Sequence, residues 1–169
     1  GHHRCLGQGV ARAAELGVKT VFVTVRRSGV ERAAGVYSFD SYQVPGAAGP
    51  TDLDAVLADL RSLGLEPALT LTGGPAGFYD APLVDPARSA WLSFVTAAAV
   101  RYTIAPYNVR RFEIWQEPNR DVAFAPAADA AAYASLLADS ATAIHAVLAS
   151  AEVASGGLAM CAACPAGWW

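Results

Sequence analysis

The chain has 169 residues, of which 54% are hydrophobic and 16% are charged, and its formal net charge is −3. That composition supplies enough apolar side chains for one packed domain and excludes an extensively disordered protein. With no run of Lys and Arg, nucleic acid is excluded as an expected partner, and no apolar run reaches the length of a membrane span.

Helical and strand patterns alternate along the chain. In chain order they predict a helix over 10–17, a strand over 19–25, a helix over 52–64, a strand over 65–72, a helix over 87–102, a strand over 109–115, a helix over 128–150 and a strand over 152–159. Gly17 and Gly64 are predicted helix stops, and Thr51 or Asp52 is a predicted helix cap.

Strands spaced by about 40 residues with a helix between them predict a parallel sheet with right-handed crossovers. The long loops, 26–50 and 73–86, follow strands, whereas the loops after helices are short. This asymmetry favours a (β/α) barrel, whose chemistry lies on the loops at the carboxyl ends of the strands. The alternative is a doubly wound open sheet, but "RRSGVE" after the first strand is not a phosphate-binding turn. No domain boundary appears within 1–169.

Cys161 and Cys164 form a C-x-x-C pair near the end of the chain. A zinc site needs a second pair of ligands, and a redox site needs a thioredoxin-like context, and neither accompanies this pair. We therefore predict no metal site and no redox site.

The stretch "FEIWQEPN" at 112–119 is the strongest candidate for chemistry. It is a β-forming run that ends in polar residues, which places Glu117 just past the end of a strand. Trp115 would supply an apolar wall, and Pro118 fixes the direction of the chain. A partly desolvated carboxylic acid in such a cleft suits general acid/base catalysis. Alternatively, Glu117 caps the next helix or pairs with Arg110, Arg111 or Arg120.

"FEIWQEPN" resembles the Trp-Asn-Glu-Pro motif of the retaining glycoside hydrolases built on TIM barrels (clan A), in which the Glu is the acid/base at the end of the fourth strand. Further segments resemble the loop after strand two, helix two with strand three, and helix four with strand five of xylosidase-like and cellulase-like members: "VERAAGVYSFDSYQ" (30–43), "LDAVLADLRSLGLEPALTLTGGP" (53–75) and "AAAYASLLADSATAIHAVLASAEVASGGLA" (130–159). The resemblance covers roughly 10–159 and implies a partial TIM barrel, about strands two to five with their helices.

The resemblance implies roles for the residues of the motif. Glu117 would protonate the glycosidic oxygen and later deprotonate the attacking water. Gln116 stands where the family usually has an Asn that bonds the sugar 2-hydroxyl. Trp115 would be a wall of the cleft, and Asn119 would belong to the substrate-binding set.

Residues outside the motif complete the candidate site. Phe78 and Tyr79 would offer aromatic faces to a sugar ring, or else pack under their loop. Many relatives carry an Arg on strand two, where this chain has Phe22. Arg26 or Arg27 would reach the site from the strand end, unless both are solvated loop charges. Tyr37 and Phe39 are predicted to anchor their own loop.

A retaining mechanism needs a second carboxylate about 5–5.5 Å from the first, and the family takes it from the end of strand seven. No Glu follows Glu152, which begins its strand at the wrong end of the barrel. Glu31 and Asp80 are loop acids without support. A full barrel takes about 250 residues, so we expect 1–169 to be an incomplete barrel that lacks the nucleophile.

The resemblance thus implies a glycosidase for O-glycosidic, β-linked bonds that acts on a glycoside or saccharide without metal or organic cofactor. We expect the chain to be a fragment of such an enzyme, or a half-barrel that closes as a homodimer. The alternative is a non-catalytic carbohydrate-binding or interaction protein on a degenerate barrel, which Gln116 and Phe22 favour. The sequence leaves localisation open between secreted and cytoplasmic.

Overall fold

The computed structural model describes residues 2–44, 47–73 and 81–160, with side chains from residue 9 onward. Its helices are α1 (His2–Glu15), α2 (Arg27–Val30), α3 (Leu53–Ser62), α4 (Ala87–Tyr102) and α5 (Ala130–Val147). Its strands are β1 (Thr20–Arg26), β2 (Glu31–Ala33), β3 (Val36–Tyr37), β4 (Glu66–Thr72), β5 (Arg111–Ile114) and β6 (Glu152–Ser155).

The main sheet has four parallel strands in the order β1-β4-β5-β6. The strands lie in the sheet in their chain order, so each crossover moves in the same direction, as in a barrel. A doubly wound sheet would reverse its strand order at a switch point. The predicted partial (β/α) barrel is therefore confirmed, and the open-sheet alternative is wrong.

One face of the sheet packs on the helices and forms the core. Leu69 and Leu71 of β4 and Phe112 and Ile114 of β5 are all at most 1% exposed. They meet the aromatic side of α4 and the apolar positions of α3 and α5, which include Trp91, Phe94, Leu57 and Leu136. The alternation of apolar residues along each strand sets this face, because successive side chains point to opposite sides.

The opposite face, here called the inner face, carries Phe22, Thr24, Thr70 and Glu113. In a closed barrel of this kind the inner face fills the interior. The strand register aligns Thr24, Thr70 and Glu113 side by side. Phe22 is 54% exposed at the next level toward the strand starts.

Arg111 ties the starts of the strands together on the inner face. Its guanidinium forms ion pairs with Glu66 of β4 and Glu152 of β6, and it donates to the Thr20 hydroxyl of β1. These contacts join β1, β4 and β6 to β5 at the end of the sheet opposite the "FEIWQEPN" motif.

Local capping signals act where the sequence indicates them. Asp52 accepts from the Ala55 N–H and Asp129 from the Ala132 N–H, at 3.0 and 2.9 Å, so each caps its helix. Gly17 and Gly64 follow helices with φ of 84° and 74°, the left-handed conformation that glycine adopts without strain.

The loop predicted over 26–50 contains a short helix, α2, and an antiparallel pair, β2 with β3. Phe39 is 5% exposed and packs edge-on against Tyr102, with ring centroids 5.3 Å apart. Tyr37 lies against Phe94 at 6.0 Å. The prediction that Tyr37 and Phe39 anchor this loop is confirmed.

Candidate active site

Strand β5 ends in a break of its alternation at Trp115. Regular alternation would point Trp115 to the inner face, next in line after Glu113. Instead Trp115 has φ of 73°, and its indole is 1% exposed between Trp91 and Phe124, with ring centroids 5.3 and 5.6 Å away. Its Nε1–H donates to the Ala123 carbonyl at 2.7 Å. The prediction that Trp115 walls the cleft is therefore corrected: the left-handed turn sends its ring into the core.

The same turn leaves Glu117 facing solvent at the strand end. Glu117 also has a left-handed φ, 46°, and its side chain is 47% exposed. Glu117 lines a cleft of about 570 Å³ at the carboxyl ends of the strands, together with Gln116, Arg26 and Thr72. Left-handed φ in non-glycine residues costs about 1–3 kcal/mol each and persists only where surrounding contacts enforce it.

Glu117 forms an ion pair with Arg120, with Oε2 and Nη1 2.8 Å apart. Both side chains are about half exposed, at 47% and 48%. Exposed pairs of this kind contribute about 0–1 kcal/mol, so a ligand can displace the guanidinium at low cost. Of the pairings that the sequence allows for Glu117, the structure selects Arg120.

Glu113 is a second carboxylate in the cleft and was missed by the sequence reasoning. Its Oε2 accepts from the Thr70 hydroxyl at 3.2 Å, and its Oε1 accepts from the Gly157 N–H at 3.1 Å. The signal was present, because a charged residue between the apolar Phe112 and Ile114 must face away from the helices.

The segment Gly156–Ala159, which follows β6, runs directly against the end of β5. The Glu117 N–H donates to the Gly157 carbonyl at 3.0 Å, and the Gly156 N–H donates to the Ile114 carbonyl at 3.0 Å. A Cβ on Gly156 would lie 2.6 Å from the Trp115 carbonyl oxygen, so only glycine allows this approach.

Tyr133 of α5 fastens the same junction from the core side. Its hydroxyl donates to the Ile114 carbonyl and accepts from the Gly156 N–H, both at 2.7 Å. Burial raises the pKa of Tyr133 to about 12, so the hydroxyl keeps its proton and remains a donor. The junction between β5 and the segment after β6 is thus hydrogen-bonded from both sides.

Asn119 contributes to the junction and not to the cleft. It is 1% exposed; its Nδ2 donates to the Ala159 carbonyl at 2.8 Å, and its Oδ1 accepts from the Ala159 N–H at 2.9 Å. Its predicted place in the substrate-binding set is corrected, because a buried amide bound at both ends to backbone cannot reach a sugar.

Gln116 and Arg26 do line the cleft. Gln116 Nε2 donates to the Thr24 hydroxyl at 3.4 Å, which is a long hydrogen bond. Arg27 is 5% exposed and pairs with Glu31 at 2.7 Å, so the interpretation of Arg27 as a solvated loop charge is wrong.

Some predicted residues lie outside the described part of the chain: Phe78, Tyr79, Asp80, Cys161 and Cys164. Within the described residues, no three His, Cys, Asp or Glu side chains gather into a metal-binding group. Over the same residues, no helix is both long and apolar enough to cross a membrane.

A barrel segment with carboxylates lining a cleft at the carboxyl ends of its strands is compatible with the TIM-barrel glycoside hydrolases, which use a pair of carboxyl groups. The solved structures that resemble this chain belong to that class. No protein-family model and no curated protein sequence matches the chain.

Three solved structures define the likeness. A β-xylosidase of family 39 from Caulobacter crescentus has a TM-score of 0.62 and 26% identity, covering 88% of this chain and 35% of its own. A monomeric β-xylosidase from Caulobacter crescentus CB15 has 0.61 and 25%, covering 88% and 31%. A family 39 glycoside hydrolase from the gut symbiont Bacteroides cellulosilyticus WH2 has 0.61 and 19%, covering 90% and 29%.

These matches confirm the resemblance to clan A glycoside hydrolases, specifically to xylosidase-like members of family 39. The chain spans about a third of the length of each. The acid/base role of Glu117 stays a prediction.

Proposed function

We propose that Glu117 is the acid/base residue of a retaining β-glycosidase that acts on xylosides or related glycosides. The observation that carries the proposal is the placement of Glu117: it lines the cleft just past the carboxyl end of β5, with its side chain about half exposed. Two backbone hydrogen bonds support that placement: the Glu117 N–H donates to the Gly157 carbonyl, and the Glu117 carbonyl accepts from the Arg120 N–H. The β-xylosidases among the similar structures support the choice of substrate.

The reaction follows the two-step retaining scheme. In the first step the Glu117 carboxylic acid gives its proton to the glycosidic oxygen, the bond from that oxygen to the anomeric carbon breaks, and a second carboxylate bonds to the anomeric carbon. In the second step the Glu117 carboxylate takes a proton from water, the water oxygen bonds to the anomeric carbon, and the second carboxylate leaves.

The second carboxylate is expected from outside the described residues. Glu113 shares the cleft, but hydrogen bonds engage both of its oxygens. Because the chain spans only 29–35% of the similar structures, a nucleophile on a further strand fits the proposal. A second copy that completes the barrel as a homodimer is the other source, and dimerisation stays a prediction.

Gln116 would bond the sugar through its side-chain amide. It lies next to Glu117 and lines the same cleft. Gln is one methylene longer than the Asn found in relatives, and only a long hydrogen bond of 3.4 Å, from Nε2 to the Thr24 hydroxyl, would have to break for the amide to meet a ligand.

The test is Glu117→Gln in the full-length protein, assayed with an aryl β-xyloside. Loss of the acid/base should lower turnover by at least about 100-fold while xyloside binding persists. Azide should restore turnover to Glu117→Ala and form a β-glycosyl azide, since a small anion can attack where water needs a general base. The control is Glu152→Gln, which removes an exposed carboxylate at the opposite end of the sheet. Undiminished turnover by Glu117→Gln would reject the proposal.

The second candidate is a non-catalytic carbohydrate-binding protein. The observation that favours it is the Glu117–Arg120 ion pair, because a carboxylate paired with a cation is the charged form, whereas the first step of hydrolysis needs the protonated acid. In that case calorimetry would detect binding of xylo-oligosaccharides to the full-length protein, and no variant of Glu117 would have any turnover to lose.

A further inference from the structure

Glu113 stands at the centre of a chain of hydrogen bonds that ends on Glu117. The Thr70 hydroxyl donates to Oε2 of Glu113, and the Gly157 N–H donates to Oε1. The Gly157 carbonyl in turn accepts the Glu117 N–H. Gly157 therefore links the two residues: its N–H donates to the Glu113 carboxylate, and its carbonyl accepts from the backbone N–H of Glu117.

Gly157 has open space on the side where a Cβ would stand: apart from its chain neighbours, no heavy atom lies within 4 Å of that position. Among the hydrogen bonds that hold the segment after β6, the Glu113 carboxylate is the side chain that binds the Gly157 N–H.

The backbone of Glu113, in contrast, is held within the sheet. It lies on β5, which is paired on both sides, with β4 and β6. The register sets it beside Thr70, which is 2% exposed and donates to it from β4. Each of its two carboxyl oxygens accepts one hydrogen bond, Oε2 from Thr70 and Oε1 from the Gly157 N–H.

Glu117 needs such support because its backbone is in a left-handed conformation, with φ of 46°. A non-glycine residue keeps that conformation only where neighbouring contacts enforce it. Its N–H bond to Gly157 is one of those contacts.

We propose that Glu113 is a positioning residue that fixes the Glu117 carboxyl group at the leaving-group oxygen through Gly157. The inference rests on the proposed acid/base role of Glu117. Glu113 acts by holding the segment after β6, and its two occupied oxygens suit this role better than attack on an anomeric carbon.

The test uses the dependence of kcat/KM on the leaving group in the full-length protein. A phenyl β-xyloside needs protonation of its leaving oxygen, whereas a dinitrophenyl β-xyloside leaves without it. Misplacing the acid should lower kcat/KM for the phenyl substrate on the order of 100-fold. The dinitrophenyl substrate should lose less than roughly threefold, because general acid catalysis contributes little to a leaving group that is already stable.

Three variants separate positioning from folding. Glu113→Ala and Glu113→Asp should both show the leaving-group effect, since neither reaches the Gly157 N–H. Glu113→Gln keeps an amide oxygen at the same reach and should recover most of the phenyl activity. Glu66→Ala removes a carboxylate from the opposite end of the inner face and should leave kcat/KM unchanged for both substrates.

Each result decides the inference. Equal losses on both substrates in Glu113→Asp, or no recovery in Glu113→Gln, would overturn it. Covalent labelling of Glu113 by a fluoroglycoside inactivator would overturn it too, by making Glu113 the nucleophile. If Glu117→Gln is inactive while Glu113→Asp is normal, only the positioning role fails. If Glu117→Gln is fully active, the proposed function fails first.

Discussion

Asn119 and Ala159 exchange two hydrogen bonds across 40 residues of chain, with the Asn119 amide both donating to and accepting from the Ala159 backbone. The pair lies two residues along each segment from the contact in which the Glu117 N–H donates to the Gly157 carbonyl. A buried amide that bonds a backbone N–H and carbonyl together has a structural role, and its removal leaves both groups without that partner.

We expect Asn119→Ala to lower the free energy of unfolding by about 1–3 kcal/mol, because the partly buried N–H and carbonyl of Ala159 lose their side-chain partner. Chemical denaturation measures the change. Gln43→Ala, at an exposed loop position, is the control and should change stability by less than about 0.5 kcal/mol. A variant at Asn119 as stable as the parent would show that water replaces the amide without cost.

The adjacent glycines Gly156 and Gly157 should differ sharply on substitution. At Gly156 an added Cβ meets the Trp115 carbonyl oxygen and carbon at 2.6 and 2.9 Å, and backbone atoms yield little. Gly156→Ala should therefore cost about 1–3 kcal/mol or more. Gly157→Ala, where nothing lies within 4 Å, is the matched control. Thermal denaturation of the two variants side by side tests the contrast, and equal melting temperatures would contradict it.

Arg27 and Glu31 form an ion pair whose side chains are only 6% and 7% exposed. Arg27→Met leaves the Glu31 carboxylate buried without its cation and should cost about 3–5 kcal/mol. Adding Glu31→Gln removes the stranded charge and keeps an acceptor for the Gly35 N–H, so the double variant should regain much of that loss. Urea denaturation of the three proteins measures it. A double variant less stable than Arg27→Met would contradict the expectation.

Asp54 makes stability depend on pH. The Arg101 guanidinium, by its hydrogen bond, lowers the pKa of Asp54 below 3.8, and the Tyr102 hydroxyl acts in the same direction against the opposing effect of burial. A pKa lowered by folding contributes stability that is fully present well above 3.8 and is lost as the pH falls through the folded-state value.

We therefore expect the stability gap between the parent and Asp54→Asn to be constant near neutral pH and to shrink below 3.8. Denaturation across an acid series measures the gap. Asp40→Asn, which removes an exposed carboxylate, controls for net charge. A gap that widens on acidification would reverse the assigned sign.

The sequence predicted the features that depend on neighbouring residues. Alternating helix and strand patterns predicted the parallel sheet, and the long loops after strands indicated the end of the sheet that carries the cleft. Asp52, one of the two predicted caps, stands where α3 begins, because capping is a local interaction between residues three apart. The strand-end position of Glu117 followed from the same local reasoning.

The sequence did not predict what depends on distant residues. Trp115 was assigned to the cleft because it stands next to Gln116 and Glu117 in the motif, and nothing local signals a left-handed φ at a bulky residue. Asn119 finds its partner 40 residues later, which no local pattern reveals. The strand predicted over 152–159 ends at Ser155, since the residues after it turn to bind the end of β5.

The junction has a consequence for building chimaeric barrels. A cut between α5 and β6 would separate Glu117 from the Gly157 carbonyl, Glu113 from the Gly157 N–H, and Asn119 from Ala159. Swapping one strand–helix unit would carry the motif without the backbone that shapes it. For this chain the smallest exchangeable unit is two neighbouring strand ends, 113–119 together with 156–159.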